Sequence, residues 1–187
     1  MSGRLVGFRS EKAAQFSALL IQREKGRSEK LKLIKLLYLA ERESMAERGR
    51  PMFYDEYYSL EHGPICSNAL DALNGYADPE IWKLYVTVED KKNISQSVHR
   101  DRAEMGQLSK SDDRILEAIW NRFGWMTAGQ IRNWTHINCK EYVEVASGER
   151  LPISYETIYK VLGFTEAAQM ASHIAEYRSA EAAIAAQ

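Results

Sequence analysis

Cysteine is scarce in this chain, with only Cys66 and Cys139 among 187 residues. Two thiols make no disulfide framework, so a chain of this length must be held by a buried core, which it is long enough to form. Charge of one sign is also missing: 25 Lys and Arg stand against 26 Asp and Glu, a net charge of -1. That balance excludes the global basic field that dominates non-specific nucleic-acid binding, although local patches remain open. There is no signal-peptide pattern and no apolar run long enough to span a bilayer, so the expected setting is the cytoplasm, with no membrane partner. Internal repeats and low-complexity linkers are absent as well, which points to a single domain over 1–187, ending in a helix at 166–187.

Chemical motifs are equally sparse. No Gly-x-Ser-x-Gly elbow, no glycine-rich phosphate loop and no Cys-x-x-Cys knuckle occurs, and the carboxylates Glu41, Glu43 and Glu47 read as a solvated helix end. The expectation is a protein without catalytic residues or cofactor rather than an enzyme.

What the sequence does contain is 45% hydrophobic and 27% charged residues, ordinary for a soluble globular protein. Its densest part is Ser28 to Leu73. From Leu31 to Ala40 the apolar residues exceed a single stripe, which predicts a helix buried on most sides, capped by Ser28 and stopped at Gly49 before Pro51. Phe53, Tyr54, Tyr57 and Tyr58 crowd the connector that follows. Gly63-Pro64 then reads as the start of a short helix reaching about Asn74. Before this stretch, Ser10 is placed to cap a helix from Glu11 to Lys25.

After it, Trp82 to Val98 alternates in the manner of two short strands about a polar turn, which predicts one β-hairpin. Ser109 to Asp112 and Thr127 to Gln130 are capping-box patterns that open two helices joined by a tight turn. Ser154 is placed to cap a helix through Leu162, and an alanine-rich helix with Met170, Ala171, Ile174 and Tyr177 on one face ends the chain. The expected fold is mainly α: a compact helical domain with one small β-hairpin.

Three constellations carry possible chemistry. His62, Cys66, His136 and Cys139 form a two-His, two-Cys set of the kind that binds zinc, but Pro64 interrupts the first pair, and two buried thiols beside polar histidines is the better reading. The helices at 111–123 and 127–135 could form a helix-turn-helix, with Gln130, Arg132, Asn133, His136 and Lys140 facing DNA. The missing basic footprint disfavours nucleic acid as a partner. The tyrosine connector suggests a protein interface, because Tyr and Arg are enriched at binding hot spots. Its candidate partner-binding residues are Tyr54, Tyr57, Tyr58, Glu61 and His62, and the three tyrosines are not all expected to be buried.

Lys32-Leu33-Ile34-Lys35-Leu36-Leu37-Tyr38-Leu39-Ala40, followed some twenty residues later by Glu61-His62-Gly63-Pro64-Ile65, resembles the Panacea domain of SocA-like antitoxins. Leu108-Ser109, Gly124 and Trp134-Thr135-His136 continue the likeness in order and spacing over about residues 8 to 165. The resemblance implies an antitoxin that neutralises a cognate protein toxin by direct contact. It further implies a proteolytic adaptor that delivers the toxin to a ClpXP-type protease. A DNA-binding regulator using 111–140 is the alternative.

Overall fold

The computed structural model describes residues 7–185. Helix α1 (Ser10–Arg23) leads through a short strand β1 (Arg27–Glu29) into α2 (Lys30–Arg48), the axis of the molecule. A hairpin of β2 (Tyr57–Leu60) and β3 (Gly63–Cys66) follows, then α3 (Ser67–Leu73) and a single turn α4 (Pro79–Trp82). A second hairpin pairs β4 (Val86–Val88) with β5 (Asn93–Gln96). Helices α5 (Lys110–Phe123) and α6 (Ala128–Asn138), strand β6 (Leu151–Ile153), α7 (Tyr155–Val161) and α8 (Ala167–Ala185) complete the chain.

The fold is mainly helical, as the sequence predicts, but the single hairpin is a correction to make. Among the described residues there are two three-stranded antiparallel sheets, ordered β1-β5-β4 and β3-β2-β6. The predicted hairpin exists as β4 and β5 but starts at Val86 rather than Trp82, which closes α4, and Arg27–Glu29 joins it because Ser28 pairs with Ile94 from the far side. Strands of three or four residues carry almost no period-2 signal, so pairing partners distant in sequence decide them.

Gly63-Pro64 also differs from expectation: it is strand, and the helix starts only at Ser67. Leu60 pairs with Gly63 across the two-residue turn Glu61-His62, and Gly63 takes a left-handed φ of 94°. The Ser67 amide donates to the Glu56 carbonyl at 2.7 Å. In that register alternate residues, Gly63 and Ile65, face β2, so the Pro64 nitrogen lies on the outer edge, where a missing N–H costs no ladder bond. Two predicted caps move as well. Glu29 rather than Ser28 precedes α2, Arg9 precedes α1, and neither end has a side-chain cap.

Other expectations hold. From Lys32 to Glu41 every residue of α2 is buried, and the helix ends at Gly49 with φ 66°. Both capping boxes form: Ser109 with Asp112, and Thr127 with Gln130. One contiguous apolar core runs from α1 through α2 to α7 and the start of α8. Lys32, Lys35 and Glu41 lie within it because each has a partner, which corrects the reading of Glu41 as part of a solvated helix end. Lys32 donates to the Gly124 carbonyl at 2.8 Å and pairs with Glu24. The Glu41 carboxylate accepts the Met52 and Phe53 amides at 2.7 and 2.6 Å, tying the aromatic connector to α2.

Candidate partner-binding face

The turn Glu61-His62 is held in place from beneath. Lys35 is fully buried on α2, and its Nζ donates to the outward-facing Pro64 carbonyl at 2.8 Å. His136 of α6 packs against the same turn, so closely that a Cβ on Gly63 would lie 2.8 Å from its Cδ2 and 2.9 Å from the Lys35 Nζ. Tyr142 covers the other side of the imidazole, with ring centroids 4.5 Å apart, and its hydroxyl donates to the Leu60 carbonyl at 3.2 Å. Segment 139–143 is itself pinned to α2, because Glu141 accepts from the Tyr38 hydroxyl and from Arg42 Nε, each at 2.7 Å.

Burial shapes the electrostatics of this joint. It pushes the Lys35 ammonium down to about 7, and it lowers His136 with help from the neighbouring Lys35 and Arg132 charges. Burial also pushes the Cys66 thiol well above its ordinary value and Cys139 up to about 12, so both are inert protonated thiols at neutral pH. His62 is exposed while Cys66 and Cys139 are buried. Among the described residues no three His, Cys, Asp or Glu side chains group as metal ligands would.

Above the joint lies an open groove of about 650 Å³. Leu31 and Ile34 of α2, Leu60 and Ile65 of the β2–β3 hairpin and Leu70 of α3 make its apolar floor. Its rim is charged. Glu29 and Lys30 stand at the start of α2, Lys91 and Lys92 at the β4–β5 turn, Glu61 and His62 on the β2–β3 turn, and Glu149 and Arg150 just before β6, which pairs with β2. A second furrow of about 500 Å³ runs between the end of α3 and β4, and Lys30 and Lys91 line both, forming the ridge between them. Lys30 Nζ is steadied by Asn74 Oδ1 at 3.0 Å, and burial lowers its pKa. Asp90, beside Lys91, is engaged in its own turn: Asn93 Nδ2 and the Lys92 and Asn93 amides hold its carboxyl down at about 2.

The sequence candidates divide between core and face. Tyr57 is buried against Tyr38 and Tyr155, with ring centroids at 5.8 and 5.1 Å. Tyr54 is buried too, stacked on Tyr177 at 4.4 Å with the Arg9 guanidinium over both rings. Tyr58 is half-buried, and Arg150 of the rim lies 4.5 Å over its ring. Tyr58, Glu61 and His62 therefore share one face, whereas Tyr54 and Tyr57 do not reach it. Lys91 and Lys92 are legible in the sequence as a polar hairpin turn. Arg150 is not, since only the pairing of β6 with β2 brings it there.

On α6 the polar residues are largely engaged. Gln130 closes the capping box, Arg132 donates to Asn133 Oδ1 at 3.0 Å, and His136 is the support just described. Trp134 packs on Phe123 with ring centroids 4.7 Å apart.

No curated protein and no solved structure matches the chain. The family model described as "Antitoxin SocA-like, Panacea domain" matches residues 33–141, which run from the first turn of α2 to Glu141 and include the β2–β3 turn and its supports Lys35 and His136. Because that match spans more than half of the sequence, the chain belongs to the SocA-like antitoxin family and carries its Panacea domain.

Proposed function

We propose that this chain neutralises a protein toxin by direct contact, and that the groove above the β2–β3 turn is where the toxin is held. The observation that carries the reading is the groove itself in a member of an antitoxin family: an apolar floor of Leu31, Ile34, Leu60, Ile65 and Leu70 inside a charged rim. Protein interfaces have this anatomy, with an apolar centre that supplies affinity and a polar rim that excludes water. Glu61 and His62 stand on the rim, and Arg150 extends it over Tyr58. The reading is of a binding protein rather than an enzyme.

A DNA-reading role for α5 and α6 is the weaker reading, because Gln130 and Arg132 hydrogen-bond within the chain and the His136 ring is packed between Gly63 and Tyr142. The resemblance adds delivery to a ClpXP-type protease. Growth rescue that disappears in cells lacking that protease is the mark of delivery, and rescue that persists is the mark of occlusion alone.

The test is co-expression with the protein encoded by the adjacent reading frame. Wild type is expected to restore growth and to co-purify with that protein. Leu31→Glu, which sets a charge on the half-buried floor of the groove, is expected to lose rescue while keeping its helical circular dichroism and cooperative melting. Full rescue by folded Leu31→Glu speaks against the groove.

A further inference from the structure

Arg150 brings a fixed and unpaired charge to the rim of the groove. It is exposed, yet its guanidinium carbon lies 4.5 Å from the centroid of the Tyr58 ring. Among the described residues that guanidinium enters no ion pair and no hydrogen bond. Two acidic neighbours leave it so. Glu149 folds back on its own turn, where its Oε2 accepts from the Ala146 amide at 3.4 Å and its own amide donates to the Ala146 carbonyl at 3.1 Å. Asp71 of α3 feels the Arg150 charge, which works against the rise that burial gives its carboxyl, but the two side chains do not pair.

The chain fixes where this charge stands. Tyr58 pairs with Ile65 on one side and Pro152 on the other, so the ring beneath the guanidinium sits on the middle strand of the β3-β2-β6 sheet. It shares the sheet face that gives Leu60 and Ile65 to the groove floor. The closed turn 146–149 and the fixed φ of Pro152 hold the backbone on either side of Arg150. A guanidinium that rests its face on a ring keeps its planar N–H fork for a carboxylate, and little freedom is left to lose when the pair forms. Ile34, Leu60, Ile65 and Leu70 of the floor lie inside the family match at 33–141, whereas Arg150 lies outside it.

We infer that Arg150 is a specificity-determining residue of the groove, taking a carboxylate side chain of the toxin in a two-point ion pair. This rests on the toxin-binding reading above and names the chemistry that the partner presents at this point. A toxin seated on the groove strips water from Arg150, and a guanidinium covered without a counter-charge costs affinity. The accepted toxin is therefore one that places an Asp or Glu there, and a lysine or an apolar side chain in its stead is rejected.

Calorimetric titration of the full chain with the protein from the adjacent reading frame tests the inference. Arg150→Ala should weaken binding by on the order of a hundredfold, and Arg150→Lys, which keeps the charge but not the fork, by on the order of tenfold. Melting should be unchanged in both, because the side chain is exposed. Among Asp→Asn and Glu→Gln variants of the partner protein, one should lose as much affinity as Arg150→Ala causes and lose nothing further when the two changes are combined. Wild-type affinity in Arg150→Ala or in Arg150→Lys overturns the ion pair and leaves toxin binding standing. So does a set of partner variants whose losses all add in full to that of Arg150→Ala. Failure of wild type to form any complex overturns both.

Discussion

Gly63→Ala should destabilise the protein by roughly 2–4 kcal/mol, combining left-handed strain with overpacking. The added Cβ would meet His136 at 2.8 Å and the Lys35 Nζ at 2.9 Å, on a backbone already at φ 94°. Neither neighbour can yield freely, because Lys35 is fixed to the Pro64 carbonyl and His136 is sandwiched against Tyr142. Gly75→Ala is the matched control, since Gly75 also has a left-handed φ, 79°, but nothing lies within 4 Å of its Cβ position. It should show the strain alone, about 1 kcal/mol. Urea denaturation of the two variants beside wild type measures the difference. Equal losses at both positions would mean that the joint beneath the turn is loose.

Lys35→Met should change how stability depends on pH. Burial depresses the folded pKa of Lys35 to about 7, far below that of an unfolded lysine near ~10.4. A depressed pKa means that the folded state holds its proton less tightly. The contribution of Lys35 is therefore intact above the unfolded pKa and lost as pH falls through the folded one, with the full penalty present below about 7. Between pH ~10 and ~7 wild type should lose about 1.4 kcal/mol per pH unit relative to Lys35→Met, and below that window the difference should level off. Subtracting the two proteins removes the titrations of groups that do not interact with Lys35. The variant also leaves the Pro64 carbonyl without a partner, a pH-independent cost of roughly 1–3 kcal/mol. Denaturant titrations at several pH values give the slope. A difference that stays flat from pH 7 to 10 would show that the ammonium is well solvated.

Much of this scaffold is legible in the sequence, for physical reasons that differ by element. The run from Leu31 to Ala40 announces a buried helix because local apolar density alone decides it. The capping boxes at Ser109 and Thr127 are readable because both partners lie within four residues. The β2–β3 hairpin is hidden, because a glycine and a proline together look like a helix start, and only the pairing with Tyr57–Leu60 turns them into a strand. Lys35 also looks ordinary in sequence. Nothing local marks the lysines at 32 and 35 as buried, since it is the distant carbonyls of Gly124 and Pro64 that hold both inside.

The candidate face is less visible still. Glu61 and His62 stand out in sequence by their place before Gly63, and they do lie on the rim of the groove. Tyr54 and Tyr57 attract notice for the same aromatic chemistry as Tyr58, but Tyr177, Tyr38 and Tyr155 draw them inward from distant parts of the chain. The groove itself is assembled from five separate segments, so no single window of sequence contains it.

The most direct test of the central claim is a calorimetric titration of the purified chain with the protein encoded by the adjacent reading frame, run in parallel for wild type and Leu31→Glu. Saturable one-to-one binding by wild type, weakened by at least on the order of a hundredfold in a folded Leu31→Glu variant, is the predicted result. Equal affinity of the two proteins would contradict the assignment of the groove, and absence of binding by wild type would contradict direct neutralisation itself.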